Sequence, residues 1–228
     1  MNGDPDAKEA DAKMFMDAPP VQDGQFTISG KTTERGLGGE TAVSGVRLAI
    51  YDSSNDTTPI KETMSNQAGE FSMTIMHVGP LDGYLAATKT GYVDIHMWPE
   101  QPFKENNTDA NINMITPSNR DFLSSLAGGN QMAGKGLIGL AVVDNATGMP
   151  VAGASVSSTP AAGAYKYTGS NGLPSSSATM TSADGVAFMF NAGPGAMMVT
   201  ATKASMTFKA HAVKAPADKM VLTVVSAN

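Results

Sequence analysis

One pattern of spaced glycines is written twice along this chain, and it constrains the fold more than any other feature. The first copy reads Ser29-Gly30, then Ser44-Gly45-Val46-Arg47-Leu48, then Asn66-Gln67-Ala68-Gly69-Glu70-Phe71, then Leu85-Ala86-Ala87-Thr88-Lys89. The second reads Ile138-Gly139, then Ala152-Gly153-Ala154-Ser155-Val156, then Ser182-Ala183-Asp184-Gly185-Val186-Ala187-Phe188, then Val199-Thr200-Ala201-Thr202-Lys203. A repeat of this size points to two copies of one small domain rather than one large catalytic body. The 228 residues hold two modules of roughly 90 residues, each able to bury a modest core.

Between the glycines the residues alternate as strands do. Phe26-Thr27-Ile28-Ser29-Gly30 alternates apolar and polar. Gly36-Leu37-Gly38-Gly39 reads as a turn, and Val43–Tyr51 as a strand with Val46, Leu48 and Ile50 on one face. Strands follow over Ile60–Met64, Phe71–Val78 (Phe71, Met73 and Ile75 inward), Gly83–Lys89, Tyr92–Met97 and Asn111–Ile115. The second copy opens on Leu137–Val143 and resumes at Ala154. Its insert Thr159–Thr179, rich in Ser, Gly, Ala and Pro, reads as an enlarged loop: 24 positions separate Gly45 from Gly69, and 32 separate Gly153 from Gly185. Between the copies, Ser118 is placed to cap a short helix over Asn119–Ala127, with Phe122, Leu123 and Leu126 on its docking side and Gly128-Gly129 as its stop.

Charged residues are only 16% of the chain, and the net charge of −6 resides largely in an Asp- and Ala-rich leader. No basic patch is present to neutralise phosphates, which argues against nucleic acid, and no apolar run approaches membrane-spanning length. The absence of cysteine removes thiol catalysis, disulfides and thiolate metal sites.

The second copy, from Gly139-Leu140-Ala141-Val142-Val143-Asp144 through Gly148-Met149-Pro150-Val151-Ala152-Gly153 and Asp184-Gly185 to Pro194-Gly195, resembles the carboxypeptidase regulatory-like domain, a transthyretin-like β-sandwich. The first copy adds Lys89-Thr90-Gly91-Tyr92, similar to the family's closing motif; Lys203-Ala204-Ser205-Met206 departs from it. The resemblance implies an all-β chain of two tandem immunoglobulin-like/transthyretin-like β-sandwiches joined by a short helical linker. The boundaries are 1–24 for a disordered leader, 25–116 for the first sandwich, 117–135 for the linker and 136–228 for the second. It further implies a non-catalytic binding or spacing role without cofactor, outside the cell, on its surface or in the periplasm. The acidic leader resembles the tethers that follow the lipidated Cys of bacterial surface lipoproteins, so a lipid tether in a precursor is expected. The chain is expected as a monomer or an edge-paired dimer.

The chemistry-bearing residues are few. His77, His96 and His211 accompany no nucleophile elbow and no zinc-peptidase motif. Tyr84, Tyr92, His77 and His96 are of the types that hold iron in intradiol dioxygenases, but no close His-x-His pair is present. Met73, Met76 and His77, and His96 with Met97, offer thioether and imidazole donors suited to Cu(I), making a soft-metal periplasmic protein the alternative reading. Strand alternation sets Met76 opposite Met73 and His77, and Met97 opposite His96. Asp52, Asp56 and Asp144 lie at turns without a calcium-loop spacing. Alternation over Tyr92–Trp98 turns Val93, Ile95 and Met97 inward and leaves Tyr92, Asp94, His96 and Trp98 on the other face. These four are the candidate partner or glycan surface, with burial under the second module or the linker helix as the competing placement.

Overall fold

A computed structural model describes residues 24–36 and 39–228; the leader over 1–23 and the Leu37-Gly38 part of the expected turn lie outside the described residues. In the first half, β1 (Gly24–Gly36), β2 (Gly39–Ala42), β5 (Glu70–His77) and β8 (Ile112–Asn113) make one sheet. β3 (Arg47–Asp52), β4 (Lys61–Met64), β6 (Gly83–Thr88) and β7 (Ile95–Trp98) lie in another. Phe26, Ile28, Phe71, Met73 and Ile75 of the first sheet and Leu48, Ile50, Leu85 and Ile95 of the second close into one core, as the period-2 patterning requires.

In the second half, β9 (Gly136–Asp144), β11 (Ala164–Thr168), β12 (Pro174–Ser175), β13 (Val186–Ala192) and β16 (Met220–Ala227) face β10 (Ser155–Thr159), β14 (Gly195–Thr202) and β15 (His211–Ala215). Their core holds Ile138, Leu140, Val142, Val199, Val213 and Val221.

Positions matched by the glycine spacing pair alike in the two halves. Gly30 pairs with Phe71 across β1–β5, and Gly139 pairs with Phe188 across β9–β13. Arg47 pairs with Thr88 across β3–β6, and Ser155 with Thr202 across β10–β14. Gly69 and Gly185 both take positive φ, 75° and 67°, and at either one a Cβ would run into the carbonyl oxygen of Thr32 or Val142. Each half also buries one hydroxyl in the same place. Ser65 Oγ accepts from Val46 N–H at 3.0 Å and donates to the Val43 carbonyl at 3.0 Å. Thr181 Oγ1 accepts from Ala154 N–H at 2.9 Å and donates to the Val151 carbonyl at 2.7 Å.

A sheet shared between the halves departs from the expectation of two sandwiches meeting through residues 117–135. β16 runs parallel to β9 over eight pairs and, on its other edge, parallel to β7 over four, Met220–Thr223 against Ile95–Trp98. The result is one nine-stranded sheet, ordered β12-β11-β13-β9-β16-β7-β6-β3-β4. β16, with the sequence MVLTVVSA, is apolar in both phases of the alternation, as suits a strand covered on both faces and both edges. Val221 and Thr223 share a face with His96 and Trp98, while Met220 and Leu222 share the other with Ile95 and Met97. The first group packs into the second half's core and the second group against the first half's. The two partner sheets therefore cover opposite faces of the shared one.

Two local expectations are corrected. The Thr159–Thr179 insert is not simply a loop: β11 and β12 extend the shared sheet at its end, held by Tyr167, whose hydroxyl accepts from Val156 N–H at 3.0 Å. Helix α1 (Pro117–Ala127) starts at Thr116, not Ser118, because Thr116 Oγ1 accepts from Asn119 N–H at 3.2 Å and Pro117 occupies the first turn. It buries Ser124 and Ala127 and half-buries Leu123 of the expected side, while Phe122, 65% exposed, and Leu126 face out. Ser124 Oγ accepts from Gln131 N–H at 2.6 Å, and that bond turns the small-residue face inward.

Candidate functional site

Where β3, β6 and β7 lie side by side, Tyr51 pairs with Tyr84, and the Leu85–Met97 pairing sets Tyr84 opposite Trp98. Their rings form a row across the strands. Tyr51 and Tyr84 centroids are 5.2 Å apart at 12°, Tyr84 and Trp98 4.8 Å apart at 21°, and Tyr84 and His96 4.6 Å apart at 17°. These spacings match the separation of neighbouring strands, about 4.8 Å. The rings thus stand on the sheet face to face, and Tyr84 in the middle has both of its faces covered.

This row lies on the face that the second half's partner sheet covers, beyond that sheet's outer strand β15. The partner sheet ends as a step on the shared sheet, leaving a cleft of about 350 Å³. Tyr51, Tyr84, Ala86, Thr88, His96 and Trp98 come from the first half; Pro194, Gly195, Lys214, Ala215, Pro216 and Lys219 come from the second; Asp56 of the β3–β4 connection lies at the rim. Lys214 spans the two halves, its ammonium donating to Asp56 at 2.7 Å and to the Ser53 carbonyl at 3.0 Å. Lys219 pairs with Asp94 at 3.2 Å.

Burial, more than the nearby Asp56 and Tyr51, pushes the Tyr84 hydroxyl up to about 12. Burial, helped by Lys219 and opposed by Asp94 and Asp56, pulls His96 down to about 4. Both are neutral at physiological pH. Trp98 is 5% exposed, and its indole Nε1, like His211 Nε2, is buried with no hydrogen-bond partner among the described residues.

The four residues of the candidate surface are not all brought together. His96 and Trp98 line this cleft. Tyr92 and Asp94 precede β7, where strand alternation no longer applies, and border a second, shallower depression with Arg47, Lys89 and Thr90. Tyr92 packs toward the first half's core, on the opposite face from Trp98; its hydroxyl donates to Glu34 at 2.8 Å, and the Lys89 ammonium sits 5.7 Å from its ring centroid. Sequence reasoning does not name Tyr51 as a site residue and names Tyr84 only among iron-ligand types, although alternation already places both opposite Ile50 and Leu85, on the face away from the first core.

Other candidate clusters are dispersed or engaged. Met73 is in the core while Met76 is exposed on the opposite side of β5, and Met97 and His96 are on opposite faces of β7. Asp52 accepts from Ser54 N–H and Oγ, and Asp144 from Thr147 Oγ1 and the N–H groups of Thr147 and Ala146; these bonds, the side-chain ones foremost, hold both carboxyls below their ordinary range. Among the described residues, no three His, Asp or Glu side chains converge as metal ligands. The cleft offers binding groups at a pre-formed concavity between two elements.

No family model matches the sequence, and no curated protein matches it. Solved structures with some likeness include a double-mutant form of the shaft pilin SpaA from Lactobacillus rhamnosus GG, 11% identical over 90% of this chain and 98% of that one, with a TM-score of 0.28. They also include the minor pilin GBS52 of Streptococcus agalactiae, 15% identical over 89% and 94%, TM-score 0.28, and the Bacillus anthracis TIE protein, 11% identical with TM-score 0.28. The chain covers 90% of its own length but 34% of that of the TIE protein. At these TM-scores the likeness does not define a shared fold.

Proposed function

We propose that this chain is a non-catalytic binding and spacing module of the cell surface or periplasm, recognising a glycan or a protein partner in the cleft between its halves. In this reading the sandwiches span 25–116 and 136–228, with 117–135 as the connector. The observation that carries it is the cleft itself: its lining is drawn from both repeats and tied across by Lys214, so neither half supplies it alone. The resemblance to regulatory-like sandwiches and the tether-like leader favour a location outside the cytoplasm. The cleft lining holds aromatic rings and paired charges but no nucleophile–base pair, which favours recognition over turnover.

The test is co-sedimentation of the purified chain with isolated bacterial envelopes, comparing the wild type with Thr88→Trp. Thr88 is half-buried in the cleft lining, and a bulky side chain there fills the space while leaving the aromatic and charged groups in place. Retention of wild type and loss of the variant is the expected result. Equal retention of both would place recognition elsewhere, and no retention of either would remove the envelope-binding role.

A further inference from the structure

We infer that the cleft takes a neutral sugar ring, held by its hydroxyls rather than stacked on an aromatic face; this rests on the binding reading above. The faces of Tyr84 are covered by Tyr51 on one side and by His96 and Trp98 across the row, so its polar edge is what remains for a ligand. Charge favours a neutral occupant. Both cleft ammonium groups are already matched, Lys214 by Asp56 and Lys219 by Asp94. An anion would have to draw a lysine away from its carboxylate, and a cation would compete with the lysines; either leaves one charge unpaired beside a half-dry wall. A vicinal diol needs neither change. One hydroxyl can donate to Asp56 while its neighbour accepts from Lys214, with the 2.7 Å pair left intact.

Two further groups suit the same ligand. The indole Nε1–H of Trp98 is a buried donor without a partner among the described residues, in a residue that lines the cleft, so a neutral sugar bound there changes its surroundings without stripping it of a bond. The Tyr84 hydroxyl keeps its proton throughout the physiological range and can donate or accept. At about 350 Å³ the space lies at the small end of ligand sites, a match for one or two rings rather than a long chain segment.

The experiment uses the sole tryptophan, whose indole N–H gives one isolated signal in a ¹H–¹⁵N spectrum. The full chain is titrated with cellobiose, mannobiose and galactobiose as neutral probes, with digalacturonate as the anionic probe and with an Asp-rich peptide. The expected result is a saturable shift of the Trp98 indole signal and of the amides of residues 84–88 and 213–215 with a neutral disaccharide. Asp56→Ala should weaken it about tenfold, as loss of a hydrogen bond to a charged group does, and Thr88→Trp should abolish it, while amide dispersion elsewhere shows both variants folded. A shift with digalacturonate or the peptide but with no neutral sugar overturns the inference and leaves the binding reading standing. No shift with any probe also overturns it, and the envelope test then judges the broader reading separately.

Discussion

Ser65 and Thr181 do the same work in each half, and nothing in the spacing of glycines announced them. Each hydroxyl is buried and bonded to two backbone groups of the turn that Gly45 or Gly153 opens. Thr181→Val removes the acceptor for Ala154 N–H and leaves that buried donor unpaired, a loss of about 1–3 kcal/mol; Ser65→Ala should cost a similar amount at Val46. Urea unfolding of the two variants measures both. Trp98 belongs to the second half's core as well as to the cleft, so Trp98→Ala should destabilise the fold by about 3–5 kcal/mol, and an unchanged urea midpoint would contradict its packing. His96 gives a pH signature. Its folded value of about 4 lies below the unfolded value of about 6.5, so between the two the unfolded chain binds more protons. The contribution of His96 is full above pH 6.5 and lost as pH falls toward 4, a change of up to about 3 kcal/mol. His96→Gln should flatten that part of the stability profile, read as urea midpoints at pH 4.5 and 7.5.

At the scale of elements, the strands were legible where alternation was strong and one face was buried, as in Phe26–Gly30 and Phe71–Val78. The insert reads as a loop because its Ser-, Gly- and Ala-rich stretch dilutes the pattern, leaving Tyr165 and Tyr167 to carry β11 almost alone. Helix α1 is legible in the sequence, but only part of its inward face is: of Phe122, Leu123 and Leu126, which apolar spacing marks, only Leu123 is half-buried, and the Ser124 bond and the small Ala127 fix the inward side. Phe122→Ala should therefore change thermal stability by less than about 0.5 kcal/mol, as exposed substitutions do, and a loss of several kcal/mol would show that the residue is covered. β16 behaves in the opposite way. Val221 pairs with Ile138 on one edge and His96 on the other, so Val221→Pro breaks an interior strand, and loss of the folded state is the expected outcome, read by circular dichroism.

For the whole molecule, the repeated glycine spacing is legible in the sequence, but the strand pairing that joins the two halves is not. Glycine positions report turns inside one copy; they carry no information on which outer strand meets which. That depended on β16 being apolar in both phases and on β7 offering a free edge, a long-range pairing between Ile95–Trp98 and Met220–Thr223 that no local pattern encodes. The cleft follows from that union, which is why the sequence marks only His96 and Trp98 of its lining as a binding surface and offers Tyr84 and Asp56 only as metal-ligand types. Thr223 Oγ1 donates to the Trp98 carbonyl at 2.8 Å, and Glu100 accepts from Ser226 N–H at 3.0 Å, so the joint is held by side chains as well as by the ladder. Amide hydrogen exchange on the intact chain tests this joint most directly. Ladder amides of Ile95–Trp98 and Met220–Thr223 should be protected to the same degree as those of β9 and β13; exchange at these positions as fast as in the exposed turns would show that the halves part freely and that the cleft is not a standing feature of the protein.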